Sequence, residues 1–389
     1  MPEAASGSPV VDTLARLVAW NTVSDRPLTD LAGYLADRAE SAGMRVERFE
    51  TSPGKINVVA SVGPPSADGL LLSGHMDVVP VEGQAWTSDP FVLTRRDDRL
   101  VGRGACDMKG FIAAAVEACA QTDLRALRRE LVLVWTHDEE IGCHGSRALV
   151  DRLRREQPDR RLPTAAIIGE PTDFHICRLH PGHTTFTLRC VGRPAHSSRP
   201  SLGLNAIHLA AQAIQIVESF GAGLAAAPAH PGPLATPHTV LNVGRIDGGT
   251  AVNIVPERCT LTVGMRPVPG ASARALLDEL STLLAPLRQF AQAAGGDVVL
   301  ELLQSSEPLD TPATCDHVNL LRPYAEQPEP IGVPFATDGG NLAQLGLAPL
   351  VFGPGSIDVA HRPDEHLREV DLHRATAALR DIIAARCCA

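Results

Sequence analysis

Aromatic residues are scarce. Phe, Trp and Tyr make up 4% of the 389 residues, so the core has to be built mainly from Leu, Val, Ile and Ala. A surplus of positive charge is also missing. The formal net charge is −10, which argues against nucleic acid or an acidic membrane surface as a partner. No uninterrupted apolar run reaches the ~18 residues of a membrane-spanning segment. Residues 1–10 carry neither the basic nor the apolar region of a secretory signal, and a cytoplasmic location is the expectation. The nine cysteines are odd in number, follow no repeated spacing and include no Cys-x-x-Cys, which argues against a disulfide framework and a zinc ribbon. A phosphate loop is absent as well. The stretch Gly102-Arg103-Gly104-Ala105-Cys106-Asp107-Met108-Lys109-Gly110 is glycine-rich and opens a helix, but its spacing is neither Gly-x-Gly-x-x-Gly nor that of a P-loop. Its glycines read better as close-packing points that let Asp107 project at the mouth of a site.

Hydrophobic residues make up 44% of the chain and charged ones 21%, the balance of a globular protein. The length exceeds one ordinary core and predicts two domains. Helical spacing of apolar residues runs over 10–20 and 28–43, and strands are predicted at 44–49 and 57–62. The central stretch is Leu70-Leu71-Leu72-Ser73-Gly74-His75-Met76-Asp77-Val78-Val79-Pro80, a buried strand that ends in a histidine. Residues i and i+2 of an extended segment point the same way, so Asp77 can lie beside the His75 ring, hold one nitrogen and leave the other for a metal. A second buried strand, 130–135, runs into Thr136-His137-Asp138-Glu139-Glu140, acids too costly to bury without cations or protons. A third, 165–169, delivers Glu170-Pro171-Thr172. A fourth, 349–352, leads through a glycine-rich loop to His361.

Between these lies a segment of different character. Strands are predicted at 184–191, 239–246, 258–265 and 298–303, a helix at 205–220, a Gly/Pro/Ala loop at 221–237 and one helix over 272–293. Two helices on four strands form a compact α+β unit inserted within the chain. The expected division is 1–181 and 305–389 for an α/β catalytic domain with a mostly parallel sheet, and 182–304 for the inserted domain.

Parallel sheets present ligands at the carboxyl ends of their strands. His75, Asp107, Glu139 with Glu140, Glu170 and His361 all fall there. Two imidazoles and several carboxylates suit a pair of zinc-like ions that share one carboxylate. Such a pair, about 3.5–4 Å apart, can activate a water and polarise a carbonyl. One of Glu139 and Glu140 can then bind metal while the other takes the water's proton.

These motifs resemble the zinc-dependent acetylornithine deacetylase/aminoacylase superfamily, which includes succinyl-diaminopimelate desuccinylase and glutamate-type carboxypeptidase. The likeness spans essentially the whole chain. It rests on Gly74-His75-Met76-Asp77, Asp107-Met108-Lys109-Gly110, Asp138-Glu139-Glu140, Gly169-Glu170-Pro171-Thr172, Ala195-His196-Ser197-Ser198 and Ala360-His361. The resemblance implies a zinc-peptidase-like catalytic domain and a lid and dimerisation domain. It assigns His75 and Glu170 to one Zn2+, Glu140 and His361 to the other, and Asp107 to the bridge, with Co2+ able to substitute. It makes Asp77 the partner of His75, Glu139 the general base and His196 an oxyanion donor acting from a partner subunit. Asn253 and Arg266 match positions that hold substrate in relatives.

The implied reaction removes the acyl group from an N-acyl amino acid, N2-acetylornithine first, as in arginine biosynthesis. Gly353-Pro354-Gly355-Ser356-Ile357 and His361-Arg362-Pro363-Asp364-Glu365 look most like the acetylornithine-deacetylating branch. Desuccinylation of succinyl-diaminopimelate, or glutamate-type carboxypeptidase and aminoacylase chemistry, is the alternative. One departure concerns the side-chain pocket: where that branch often carries Thr-Glu-Ala, this chain has Thr337-Asp338-Gly339-Gly340. Asp338 is the expected partner of a substrate ammonium.

Overall fold

Four short apolar strands, buried but for Ala348 at the start of the last, lie side by side in parallel: Leu131–Thr136, Leu70–His75, Ala165–Ile168 and Ala348–Val351. Strands hidden on both faces need no polar alternation, which is why these read as continuous Leu/Val/Ile/Ala runs. The computed structural model describes residues 7–227 and 229–388. In it the parallel core is flanked by antiparallel strands. Lys55–Val62 pairs with Leu131–Thr136 and Arg45–Ser52 with Lys55–Val62 on one side, and Cys177–His180 with Ala348–Val351 on the other. The register sets His75 opposite Thr136 and Ser73 opposite Ile168, so the carboxyl ends of neighbouring strands meet at one edge.

The helix Lys109–Ala120 packs against the Leu70–His75 strand and between Pro9–Val18 and Glu369–Ile383. It is apolar nearly all round because it is buried nearly all round. Its Phe111 ring fixes the start of the Glu170 loop. A Cβ on Gly169 would sit 1.9 Å from the Phe111 Cγ, so only glycine fits there.

The chain separates into two units. The second comprises Leu179–Pro308 together with Gly332–Ala336, a return that no sequence signal announced. Its antiparallel sheet runs in the order Val240–Gly248, Arg258–Arg266, His183–Val191, Asp297–Ser306. Thr184, Phe186, Leu188 and Cys190 alternate inward, as a half-buried strand requires.

Among the described residues three α-helices belong to this unit, not the two expected. The predicted 272–293 helix is split into Ala273–Leu283 and Ala285–Ala293, because Pro286 lacks an N–H and fits only a helix's first turn. The predicted 205–220 helix runs on to Ala226, through part of the expected loop. Alanine and leucine outweigh Gly221 and Gly223 there, whose cost is about 1 kcal/mol each. At 21 residues and mean hydropathy 1.2, this helix is long and apolar enough to cross a membrane. It nevertheless seats Ala206, Leu209, Ala210, Ala213, Val217 and Phe220 in the unit's own core.

Candidate metal centre

Most ligand candidates of the first unit stand at a strand end, just past one or just before a helix, where the backbone is fixed but the side chain is free to face the sheet edge. His75 is the last residue of its strand, and Glu139 and Glu140 follow Thr136 by three and four positions. Asp107 lies two residues before the helix Lys109–Ala120. His361 sits in a loop with φ of 63°, a left-handed conformation.

The side chains converge. His75 Nε2 lies 2.9 Å from Asp107 Oδ1 and 3.9 Å from Glu170 Oε1. His361 Nε2 lies 3.2 Å from Asp107 Oδ2 and 3.0 Å from Glu140 Oε2. The two oxygens of one carboxylate thus face two different imidazoles. The groups His75/Asp107/Glu170 and Asp107/Glu140/His361 each keep one ligand atom per residue within 4.8 Å of the others.

The donor set fits a pair of divalent cations. Glu140 Oε1 and Glu170 Oε1 are buried without a hydrogen-bond partner, and an orphaned carboxylate oxygen is expensive to bury. Burial and the neighbouring Asp107 push the Glu170 carboxyl well above the usual range, and Glu140 up to about 7. Asp107 alone falls below it: burial opposes ionisation, but the hydrogen bonds from His361 and His75 prevail. Carboxylates outnumber imidazoles, and cations would settle that imbalance.

Glu139 points the same way without belonging to either group. Its Oε2 is 4.0 Å from His75 Nε2 and its Oε1 accepts from the Cys143 thiol. Burial raises its carboxyl well above the normal range, with Asp338, Glu140 and Asp107 adding to the shift against the opposing charge of His75.

Asp77 serves both sides of this arrangement, though not as the spacing predicts. His75 Nδ1 is paired with the backbone carbonyl of Asp77 at 3.0 Å, while the Asp77 carboxylate stands 3.7 Å away. That carboxylate accepts from the backbone N–H groups of Glu139 and Glu140 and from the Ser24 hydroxyl instead. It therefore holds the acidic turn to the His75 strand. Lys55 adds a strut, 2.6 Å from Asp138.

Asp338 departs from the expectation of a side chain that reads substrate. It opens the short helix Asp338–Ala343, is 2% exposed, and its Oδ2 accepts from Thr136 Oγ1 at 2.5 Å. A carboxyl buried this deeply beside Glu139 can support the turn more readily than it can meet a ligand. Cys106 is also buried, and burial pushes its thiol far above the range where a thiolate forms.

The other three predicted residues belong to the second unit. His196 is exposed, and its Nδ1 accepts from the backbone N–H of Ser198 at 3.2 Å, with the Ser198 hydroxyl at 2.7 Å. An N–H can only donate, so the ring proton resides on Nε2. Asn253 is exposed, and its carbonyl accepts from the Ser197 N–H. Arg266 closes its strand half-buried, near His180 and His183. Sequence reasoning missed Ser24, Lys55 and Gln84 entirely, since each acts through a contact to a residue far along the chain.

Fold and site together define a mixed-sheet α/β protein with two metal-ligand groups joined by one aspartate. A model of peptidase family M20/M25/M40 matches residues 71–385, and the chain belongs to that family. It is 35% identical over 384 residues to the acetylornithine deacetylase of Myxococcus xanthus, an alignment that covers 96% of this chain and 97% of the relative. Among solved structures it resembles an M20 family metallo-carboxypeptidase from Sulfolobus solfataricus, with a TM-score of 0.78 and 19% identity over 97% of this chain and 98% of that one. A dinuclear metal-binding peptidase of the M20 family from Bacillus subtilis matches with a TM-score of 0.66 and 15% identity over 97% of each chain.

Proposed function

We propose that this protein is a two-metal amidohydrolase that removes the acyl group from an N-acyl amino acid, with N2-acetylornithine as the substrate and ornithine and acetate as products. The observation that carries the reading is Asp107, whose two carboxylate oxygens face His75 and His361 separately. His75 and Glu170 complete one ion's ligands, and Glu140 and His361 the other's. Bound there, two Zn2+ or Co2+ ions would supply Lewis acidity toward the amide carbonyl and lower the pKa of an attacking water.

The chain's own groups do the rest. Glu139, held by its backbone to Asp77, takes the proton from the attacking water and later delivers it to the departing amine. His196, with its proton on Nε2, donates to the oxygen that gains charge in the transition state. We place that donation in the partner subunit's site of a homodimer formed through the second unit. Arg266 offers a planar fork for the substrate α-carboxylate, and Asn253 a side-chain amide beside it. The 35% identity to an acetylornithine deacetylase over nearly the full length supports this choice among amides.

The test is a panel of N-acyl amino acids and dipeptides assayed with purified protein before and after chelation. Acetylornithine should be the preferred substrate, chelation should abolish turnover, and added Zn2+ or Co2+ should restore it. Turnover that survives full metal removal would sink the reading. Preference for succinyl-diaminopimelate or a dipeptide would keep the chemistry and change the substrate.

A further inference from the structure

The ligand candidates are not equally secured. The side chains of His75, Asp107, Glu140 and Glu170 are at most 6% exposed, whereas that of His361 is 50% exposed. Packing therefore does not hold His361, and its left-handed backbone, at φ 63°, is a conformation a non-glycine residue keeps only when its surroundings enforce it.

One contact to that backbone comes from Gln84. The Gln84 Nε2 donates to the His361 carbonyl at 3.0 Å. Its Oε1 accepts from Arg103 Nη2 at 2.6 Å and from Trp86 Nε1 at 3.0 Å. Both of those partners can only donate, so the orientation of the amide is fixed by chemistry. Arg103, 1% exposed and stacked 5.0 Å from the Trp86 ring, pairs through Nη1 with Glu365 Oε2 at 2.6 Å. Arg103 Nη1 also reaches the Arg362 carbonyl at 3.4 Å. Glu365 Oε1 in turn accepts the backbone N–H groups of Cys106 and Asp107, at 2.9 and 3.0 Å. An unbroken line of hydrogen bonds thus joins the backbone of His361 to that of Asp107, two of the three residues in the Asp107/Glu140/His361 group. His75, by contrast, is the last residue of a sheet strand, and Glu170 lies two residues past another.

We propose that Gln84 is a positioning residue for the second metal ion alone. Without touching the ion, it fixes His361 through its carbonyl and so sets the affinity of that one site. The inference rests on the two-ion reading above.

The experiment is calorimetric titration of the metal-free full chain with Zn2+, comparing wild type with Gln84→Glu and Gln84→Leu. Gln84→Glu keeps an acceptor for Arg103 and Trp86 but loses the N–H that His361 needs. Wild type should show two binding events. In both variants the first should stay within about twofold of wild type, and the second should weaken by about 10–100-fold, the usual effect of removing a group that orients a ligand. Thermal unfolding of the metal-free Gln84→Glu protein should match wild type, which separates positioning from a general loss of structure. Equal weakening of both events, or no change in either, overturns the proposal. If wild type itself takes up fewer than two ions, the two-ion reading falls first, and this inference falls with it.

Discussion

At the scale of single residues, adjacent glutamates are given different work by their surroundings. Glu140 lies 3.0 Å from His361 and inside a ligand group, while Glu139 contacts Cys143 and stands 4.0 Å from His75. Replacing Glu139 by Gln keeps its shape but removes its capacity for a proton. Turnover should fall at least about 10²-fold with metal content unchanged, measured by steady-state kinetics alongside elemental analysis. Unchanged turnover would remove Glu139 from the mechanism. Asp338 is a second case. Its burial under Thr136 predicts that Asp338→Asn lowers the rates for acetylornithine and for neutral N-acetylmethionine in the same proportion. A selective loss on acetylornithine of about 1.5–3 kcal/mol, the range for a hydrogen bond to a charged group, would instead mean that Asp338 reads the substrate side chain.

At the scale of elements, one strand end carries a fully buried imidazole. His180 ends the strand Cys177–His180, and its ring is 0% exposed. Burial lowers its pKa to about 4; the nearby Arg266 charge acts the same way and the hydrogen bond to the Pro181 carbonyl acts against it. A base whose pKa is depressed in the fold is protonated first in the unfolded chain. Its penalty is therefore absent above pH ~6.5, grows as the pH falls towards ~4, and is constant below that. His180→Phe should remove this dependence. Denaturant unfolding followed by circular dichroism at pH 6.5 and 4 should show wild type losing about 3 kcal/mol more than the variant over that interval. Parallel pH profiles would show that His180 titrates alike in the folded and unfolded chain.

At the scale of the whole molecule, the functional proposal requires two chains. His196 is exposed, and near it in the same unit Val252 and Ile254 are 101% and 42% exposed, apolar side chains that a second subunit could cover. If His196 acts across a subunit boundary, two inactive proteins should complement each other. Mixing His196→Ala with Glu139→Gln should restore part of the activity through hybrid dimers, each of which holds one intact site. Absence of recovery after verified subunit exchange would confine His196 to its own chain's site or remove it from catalysis.

The sequence by itself determined the parallel core and the residues at its carboxyl edge. Continuous apolar runs such as Leu70–His75 and Leu131–Thr136 have no polar face to place toward water, so burial on both sides is written in their composition. The acids and histidines that follow them have no structural reason to sit beside such runs, which made this cluster of candidate ligands legible. Local rules failed where one feature had to be weighed against another. Pro286 broke a helix that apolar periodicity had joined, and alanine carried another past two glycines. What only the tertiary structure decided was how the site is held. The Asp77 carboxylate turns to the Glu139 and Glu140 amides, Lys55 to Asp138, and Gln84 to His361, in contacts 62 to 277 residues apart. A hydrogen bond between distant segments leaves no pattern in either one, because any polar residue at a loop position satisfies the local chain equally well. Only the folded backbone brings donor and acceptor within hydrogen-bond reach and so selects among them.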